Sequence, residues 1–360
     1  MKYLFIAVLL VHGLIHFMGF AKAFHYGDMK QLILPISKPL GMLWMLAALL
    51  FIATIALYLL KIESWWILAL AAVAVSQTVI VTGWQDARFG TIANLVVLIA
   101  VFFYVCILNF EKTFRRDVQE NRVANNSLST GLLTLADLQP LPAPVQRYLT
   151  YTGAVNKPWV KNMHVVFDVQ MRGKGKEFVT YTSEQFNFFD DPARLFFMKG
   201  TMFGLPVSGY HRYAKGMASM DIRLLGLIKV VNLSGDVLNK TETVTLFNDM
   251  CLMAPATLID KGIKWEEIDN NTARAIFTNH GISVTATLFF NNKGQLVDFE
   301  SDDRTEVTDM KQYPFTTPVS DYREINGTLI WTRGETIWHY PGGKFTYGKF
   351  SLREITYNFN

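Results

Sequence analysis

His12 and His16 stand four residues apart in an otherwise apolar stretch, a spacing that puts both imidazoles on one face of a helix. Two such rings can share a metal ion, relay a proton or hydrogen-bond a headgroup. A metal would need a third and a fourth ligand, and the nearest acid, Asp86, lies toward the rim of the apolar region. His16 comes six residues before Lys22, and Gln77 comes six before Gly83 at the end of another apolar run, so the two sit at similar depth. Asn94 opens the returning run on the same end. Polar groups in lipid are costly unless they face one another or water. The expectation is therefore an intramembrane polar site of His12, His16, Gln77, Asn94, Asp86 and Lys22. Its readings are hydrogen bonds that fix helix packing, a headgroup or small-ligand pocket, a proton relay, or a metal or haem site. No metal or cofactor is assigned.

Other chemistry is sparse. Metalloprotease, nucleophile-elbow, phosphate-loop and dinucleotide motifs are all missing from the sequence. The acid pairs Asp190–Asp191 and Asp302–Asp303 read as turn residues, because adjacent carboxylates on a strand point to opposite faces. His211, between Tyr210 and Arg212, and His339, between Trp338 and Tyr340, have no visible nucleophile partner. No catalytic residue is assigned, and the reading leans away from an enzyme. Two cysteines, Cys106 and Cys251, give neither a disulfide framework nor a cysteine-rich metal site.

The elements that must hold these residues follow from composition. The 360 residues are 51% hydrophobic and 18% charged, which excludes a disordered or fibrous chain. Apolar stretches cover Tyr3 to Phe20, Leu40 to Leu60, Trp65 to Gly83 and Thr91 to Phe110. Each is long enough to cross a hydrocarbon core of ~30 Å as a helix. Residues 1–110 are thus expected to form a four-helix transmembrane bundle with short connections. Four crossings leave both ends on one side. Bases near the membrane number six on that side and four on the other, which points to the cytoplasm. The net charge of +4 divides unevenly, with six bases against three acids in residues 1–110 and only +1 left for the rest, so nucleic acid is not an expected partner; the bilayer is.

Residues 111–130 read as a charged juxtamembrane linker, helical at its start, with Arg115, Arg116 and Asp117 followed by Asn125, Asn126 and Ser127. Residues 131–360 read as one β-rich domain. Prolines 140, 142 and 144 start a short helix. Strand signals recur at residues 160–170, 177–188, 194–203, 284–290, 295–300, 328–338 and 346–358, separated by glycine and asparagine turns. Residues 242–260 keep helical spacing, with a bend at Pro255. The fold class expected is a membrane protein: the N-terminal bundle plus a C-terminal α+β domain, a curved antiparallel sheet (half-barrel) with a packed helix. An apolar ligand cavity is expected from Phe196, Met198, Met202, Phe203, Met217, Met220, Leu224, Phe247 and Met250, since methionine adapts to variable apolar guests. Residues 203–206 are the segment expected to dip into a bilayer.

Several segments carry a resemblance: His12–His16, Ser37–Gly41, Asp86–Asn94, Leu141–Leu149, and Asp321–Glu324 through Pro341–Gly343. They resemble an uncharacterised bacterial membrane-protein family in which four spans precede a β-rich domain. That domain resembles the lipoprotein-carrier fold, a half-open antiparallel barrel closed by helices around an apolar cavity. The resemblance implies binding of lipid or lipoprotein acyl chains, in the inner membrane of a bacterium. The leading expectation is a membrane-anchored binding or transfer protein for a lipid or other hydrophobic ligand, held in an apolar cavity of the C-terminal domain. The alternatives are an integral-membrane enzyme or redox protein using the histidine pair, and a signalling or protein-docking module.

Overall fold

An apolar run with no partner strand can pair its own backbone only as a helix. In the computed structural model, which describes residues 2–125 and 131–359, the first stretch of chain does so. The helices are α1 (Lys2–Ala23), α2 (Lys38–Leu59), α3 (Trp65–Thr82), the single turn α4 (Trp84–Ala87) and α5 (Gly90–Ala124). Four of them are long and apolar enough to cross a membrane. Pro39 sits in the first turn of α2, where its missing N–H costs nothing. Leu9, Phe51, Ala69, Ala72, Val97 and Val101 are buried together at the centre. Leu14, Ile67, Val81, Ile92 and Phe102 face outward. Gly19 is required where α1 meets α2: a Cβ there would lie 2.2 Å from the Trp44 ring.

The chain divides into two compact units, Met1–Asn109 and Phe110–Asn360. Of the expected linker, residues 111–124 belong to helix α5, and Phe114 and Val118 are buried in the second unit. Residues 126–130, with Asn126 and Ser127 of the polar run, lie outside the described residues.

The second unit continues with α6 (Leu135–Leu138) and α7 (Ala143–Tyr151), the proline-started helix. A meander follows: β1 (Asn162–Met171), β2 (Val179–Phe188), β3 (Ala193–Met202), β4 (Leu205–Ala214), β5 (Met217–Leu224) and β6 (Ile228–Ser234). Then come α8 (Asp236–Met253) and a second run: β7 (Ile263–Asp269), β8 (Thr272–Asn279), β9 (Ile282–Phe290) and β10 (Leu296–Ser301). Short strands β11 (Thr305–Glu306), β12 (Lys311–Gln312) and β13 (Phe315–Thr316) lead to β14 (Val319–Ile325), β15 (Thr328–Tyr340) and β16 (Gly343–Tyr357). Fourteen strands make one sheet in the order 6-5-4-3-2-1-16-15-13-10-9-8-7, with β14 also on β15 and every pair antiparallel. The sheet is open, with β6 and β7 at its edges.

Helix α8 connects those two edges, and this connection explains the shape. Nine strand spacings separate β5 from β9, about 43 Å if the sheet were flat. The 18 residues of α8 span only about 27 Å, yet α8 touches both strands. The sheet must therefore curl around the helix. The Nδ2 of Asn279 on β8 donates to the Tyr213 hydroxyl on β4 at 2.8 Å, joining the two wings directly. Enclosed in this way, α8 buries side chains on all faces, from Leu238 and Val244 to Phe247 and Met253. The opposite face of β2 to β4 carries Phe186, Phe188, Leu195, Phe197 and Tyr210, which pack on Phe110, Phe114 and Val118 of α5.

Two expectations need correction. The helix expected over 242–260 begins at Asp236 and ends at Met253; Pro255 opens a separate 3-10 turn (Pro255–Ile259) instead of bending a continuous helix. Strands β4 to β8 and β14 carried no clear strand signal in the sequence.

Candidate functional site

In the helical unit the expected polar residues form a chain of hydrogen bonds. His12 Nε2 lies 2.9 Å from Asn94 Oδ1, and Ser76 Oγ donates to the same oxygen at 3.1 Å. Asn94 Nδ2 donates to Gln77 Oε1 at 3.0 Å, and Gln77 Nε2 donates to Thr91 Oγ1 at 3.2 Å. The chain thus links α1, α3 and α5, with Ser76 and Thr91 as members the sequence reading missed. A hydroxyl on an apolar helix gives no signal of its own, because it can satisfy itself on the preceding turn.

His16 stands apart from this chain. Its Nδ1 lies 2.7 Å from the His12 carbonyl, which fixes the proton on Nδ1 and leaves Nε2 as an acceptor. That Nε2 is buried with no hydrogen-bond partner, and so is the Trp44 indole N–H, whose ring lies 5.2 Å away. Both residues line a cavity of about 590 Å³ whose remaining wall is mostly apolar, including Val8, Val11, Ile15, Ile80 and Ala93. Asp86 also lines it, and its Oδ2 accepts the Leu34 N–H at 2.8 Å. Lys22 donates to the Leu32 carbonyl. These two charged groups tie down the loop between α1 and α2 and do not join the histidines. Among the described residues no three His, Cys, Asp or Glu side chains converge as a metal site would require.

A second polar centre lies inside the β-rich unit, between α8 and the sheet. Arg194 on β3 donates through Nε to Asp249 at 2.7 Å, through Nη1 to Glu242 at 3.3 Å and through Nη2 to Gln185 at 3.1 Å. Gln185 and Asn187 also donate to Asp249, and His211 Nδ1 lies 3.5 Å from Glu242. Burial drives the Asp249 carboxyl up despite Arg194. Burial acts the same way on Glu242, but the His211 hydrogen bond and the Arg194 charge overcome it and bring that carboxyl down to about 2. The adjoining cavity is about 80 Å³, bordered by Arg194, Asp249, Phe167, Trp331, Arg304 and Thr336. The Arg304 guanidinium stacks 4.1 Å from the Phe315 ring centre, and its Nε and the Thr336 hydroxyl are buried without partners.

None of the nine residues expected to line an apolar cavity borders this one. Phe196, Met198 and Met202 alternate along β3, and the register Phe196–His211–Met220 puts Met220 and Leu224 on the same, α8-side face. Phe247 and Met250 are buried on α8, with Phe247 stacked 5.1 Å from Phe277. Phe203 and Met217 are a correction: at 94% and 60% exposed they lie outside any interior, Phe203 at a turn tip and Met217 on the other face of β5.

The family model described as "Family of unknown function (DUF6544)" matches residues 131–350, more than half of the chain, and the chain belongs to that family. Among solved structures, the crystal structure of a LolA superfamily protein from Nitrosomonas europaea is similar at 9% identity and a TM-score of 0.36. The likeness covers 59% of this chain and 92% of that one. No curated protein matches.

Proposed function

We propose that the chain is a membrane-anchored binding or transfer protein for a hydrophobic ligand with a small polar head. Anchoring is supported by the four helices, and their number would leave the N-terminus and the β-rich unit on one side, the cytoplasmic side by the balance of bases. The observation that carries the reading is the cavity of about 590 Å³ in the helical unit, within the range of ligand pockets, bordered by His16 and Trp44, each of which holds a buried polar atom without a partner just behind the wall. Once the side chains in front of them part, a hydroxyl or a protonated carboxyl can give a proton to His16 Nε2 and accept one from the Trp44 indole N–H. For a ligand already dissolved in lipid, burying methylenes gains little, so this polar pair would supply the selectivity.

The β-rich interior, where the sequence reading places the ligand, is proposed as a second position for it. Its support is Arg304, a guanidinium held over aromatic rings with its Nε unpaired beside a small cavity. Room for an acyl chain there requires α8 to shift from the sheet.

Substituting Ala93 by Phe puts a ring into the first cavity. Solvent extraction and mass spectrometry of the purified full chain should then show the co-purified ligand reduced about tenfold or more, with helical circular dichroism unchanged. Trp44→Phe keeps an aromatic ring but removes the indole N–H and with it one hydrogen bond, worth about 0.5–1.5 kcal/mol, so retention should fall by up to about tenfold. Equal ligand content in wild type and both variants contradicts the proposal.

A further inference from the structure

Resting on the reading of four membrane spans, we infer that one end of the β-rich sheet lies on the bilayer surface, with the β3–β4 and β5–β6 turns as its apolar tips. The orientation follows from contacts within the second unit. Glu111 pairs with Lys199 at 2.6 Å, the Phe110 ring lies 5.5 Å from Phe197, and Asn125 accepts the Asp191 N–H at 2.7 Å. The end of α5 thus runs antiparallel to β3. The apolar run of α5 stops at Phe110 and Glu111 is its first charge, so the membrane boundary falls near the level of Lys199. From there β3 continues four residues to Phe203, about 13 Å further, past the Phe110 end of the α5 segment that belongs to this unit.

By register the β5–β6 turn lies at the same end, since Val207 pairs with both Gly200 and Leu224, and Arg223 stacks 4.2 Å over the Phe110 ring. The β1–β2 turn lies there too, because Tyr181 pairs with Gly200. That turn carries Arg172, Lys174 and Lys176 against Glu177, a balance suited to anionic headgroups.

The tips themselves argue for lipid. Phe203 and Leu225 adopt positive φ, 53° and 56°, each followed by a glycine that does the same. Bulky apolar residues rarely take that conformation, and at an exposed tip in water a polar residue would serve the same turn. The other hairpins built the same way, at Lys215–Gly216, His280–Gly281 and Asn326–Gly327, place polar residues there. Phe203 is 94% exposed, and Leu227, Ile228 and Val230 beside the second tip are also exposed. Interfacial side chains of this kind sink about 5–10 Å into the headgroup boundary.

The test uses the full chain in nanodiscs with Cys106 replaced by Ala, the buried Cys251 left in place, and a single bimane-labelled cysteine at Phe203, Lys215 or Leu98. Quenching by nitroxide-bearing lipid should be severalfold stronger at 203 than at 215, and it should increase when about a third of the lipid is phosphatidylglycerol. Equal quenching at 203 and 215 overturns the inference, and a response indifferent to anionic lipid overturns the role of the basic turn. Leu98 reports on the spans themselves: strong quenching at 98 with none at 203 sinks the docking alone, whereas none at 98 removes the membrane reading beneath it.

Discussion

Replacing Arg194 by Met should destabilise the β-rich unit by about 3–5 kcal/mol, because it removes the cation from between two buried carboxylates and leaves Asp249 to the amides of Gln185 and Asn187 and Glu242 to His211. The guanidinium is the hub of the interface between α8 and the sheet, bonded to two α8 carboxylates and to Gln185 of β2. Hydrogen exchange along α8 reads the loss directly as opening about two to four orders of magnitude more frequent. Adding Glu242→Gln and Asp249→Asn to the same chain removes the stranded charges and should restore most of the protection. Acid should act through the same centre. Folded Glu242 titrates near 2 and an unfolded glutamate near 4.5, so its contribution is complete above about 4.5 and fades as the pH falls toward 2. Protection that is unchanged in Arg194→Met would show that the network does not hold α8.

Truncating Phe114 to Ala should cost a similar amount, about 3–5 kcal/mol, by a different route. Its ring is fully buried, stacked 5.1 Å from Phe197 and set edge-on 5.5 Å from Tyr210. Removing it opens a cavity under α5 that the curved sheet cannot easily close. The Tyr210 hydroxyl would still donate to Asp117 at 2.8 Å and Arg212 would still pair with it at 3.3 Å, so the helix should loosen rather than detach. Limited proteolysis after Arg115 or Arg116 should become severalfold faster. A cleavage rate equal to wild type would mean that the polar contacts alone hold the segment.

The apolar helices are easy to read because length and continuity announce them; counting depth along antiparallel runs puts His16 level with Gln77 and Asn94, whereas in the structure it is His12, one turn earlier, that bonds Asn94, and His16 stands apart. The identity of its bridges was not legible: Ser76 and Thr91 look like ordinary helix hydroxyls until the neighbouring helix is in place. In the β-rich unit, strands with large alternating side chains were visible, whereas β8 was not. Its inward residues include Ala273 and Ala275, too small to mark a face, although burial alternates strictly along it. The β4 to β6 region was read as a greasy, glycine-rich crowd because the strand-forming residues there are mixed with methionine and interrupted by turns. The Arg194 centre was out of reach, since Gln185, Asn187, Glu242 and Asp249 meet only after α8 has crossed between the two sheet edges. In sequence the methionines and phenylalanines near residues 196–224 read as one lining; strand register instead keeps most of them on the α8 side and puts Phe203 and Met217 outside it.

The most direct measurement of the central claim is photocrosslinking from inside the helical cavity. With benzoylphenylalanine in place of Val8, which lines the cavity, irradiation of membranes followed by mass spectrometry of the full chain should give one dominant adduct, far enriched over its share of the membrane lipid. The same residue at Leu98, on the outward apolar surface, should give adducts in proportion to bulk lipid. Matching adduct distributions at the two positions would contradict a ligand-selective cavity.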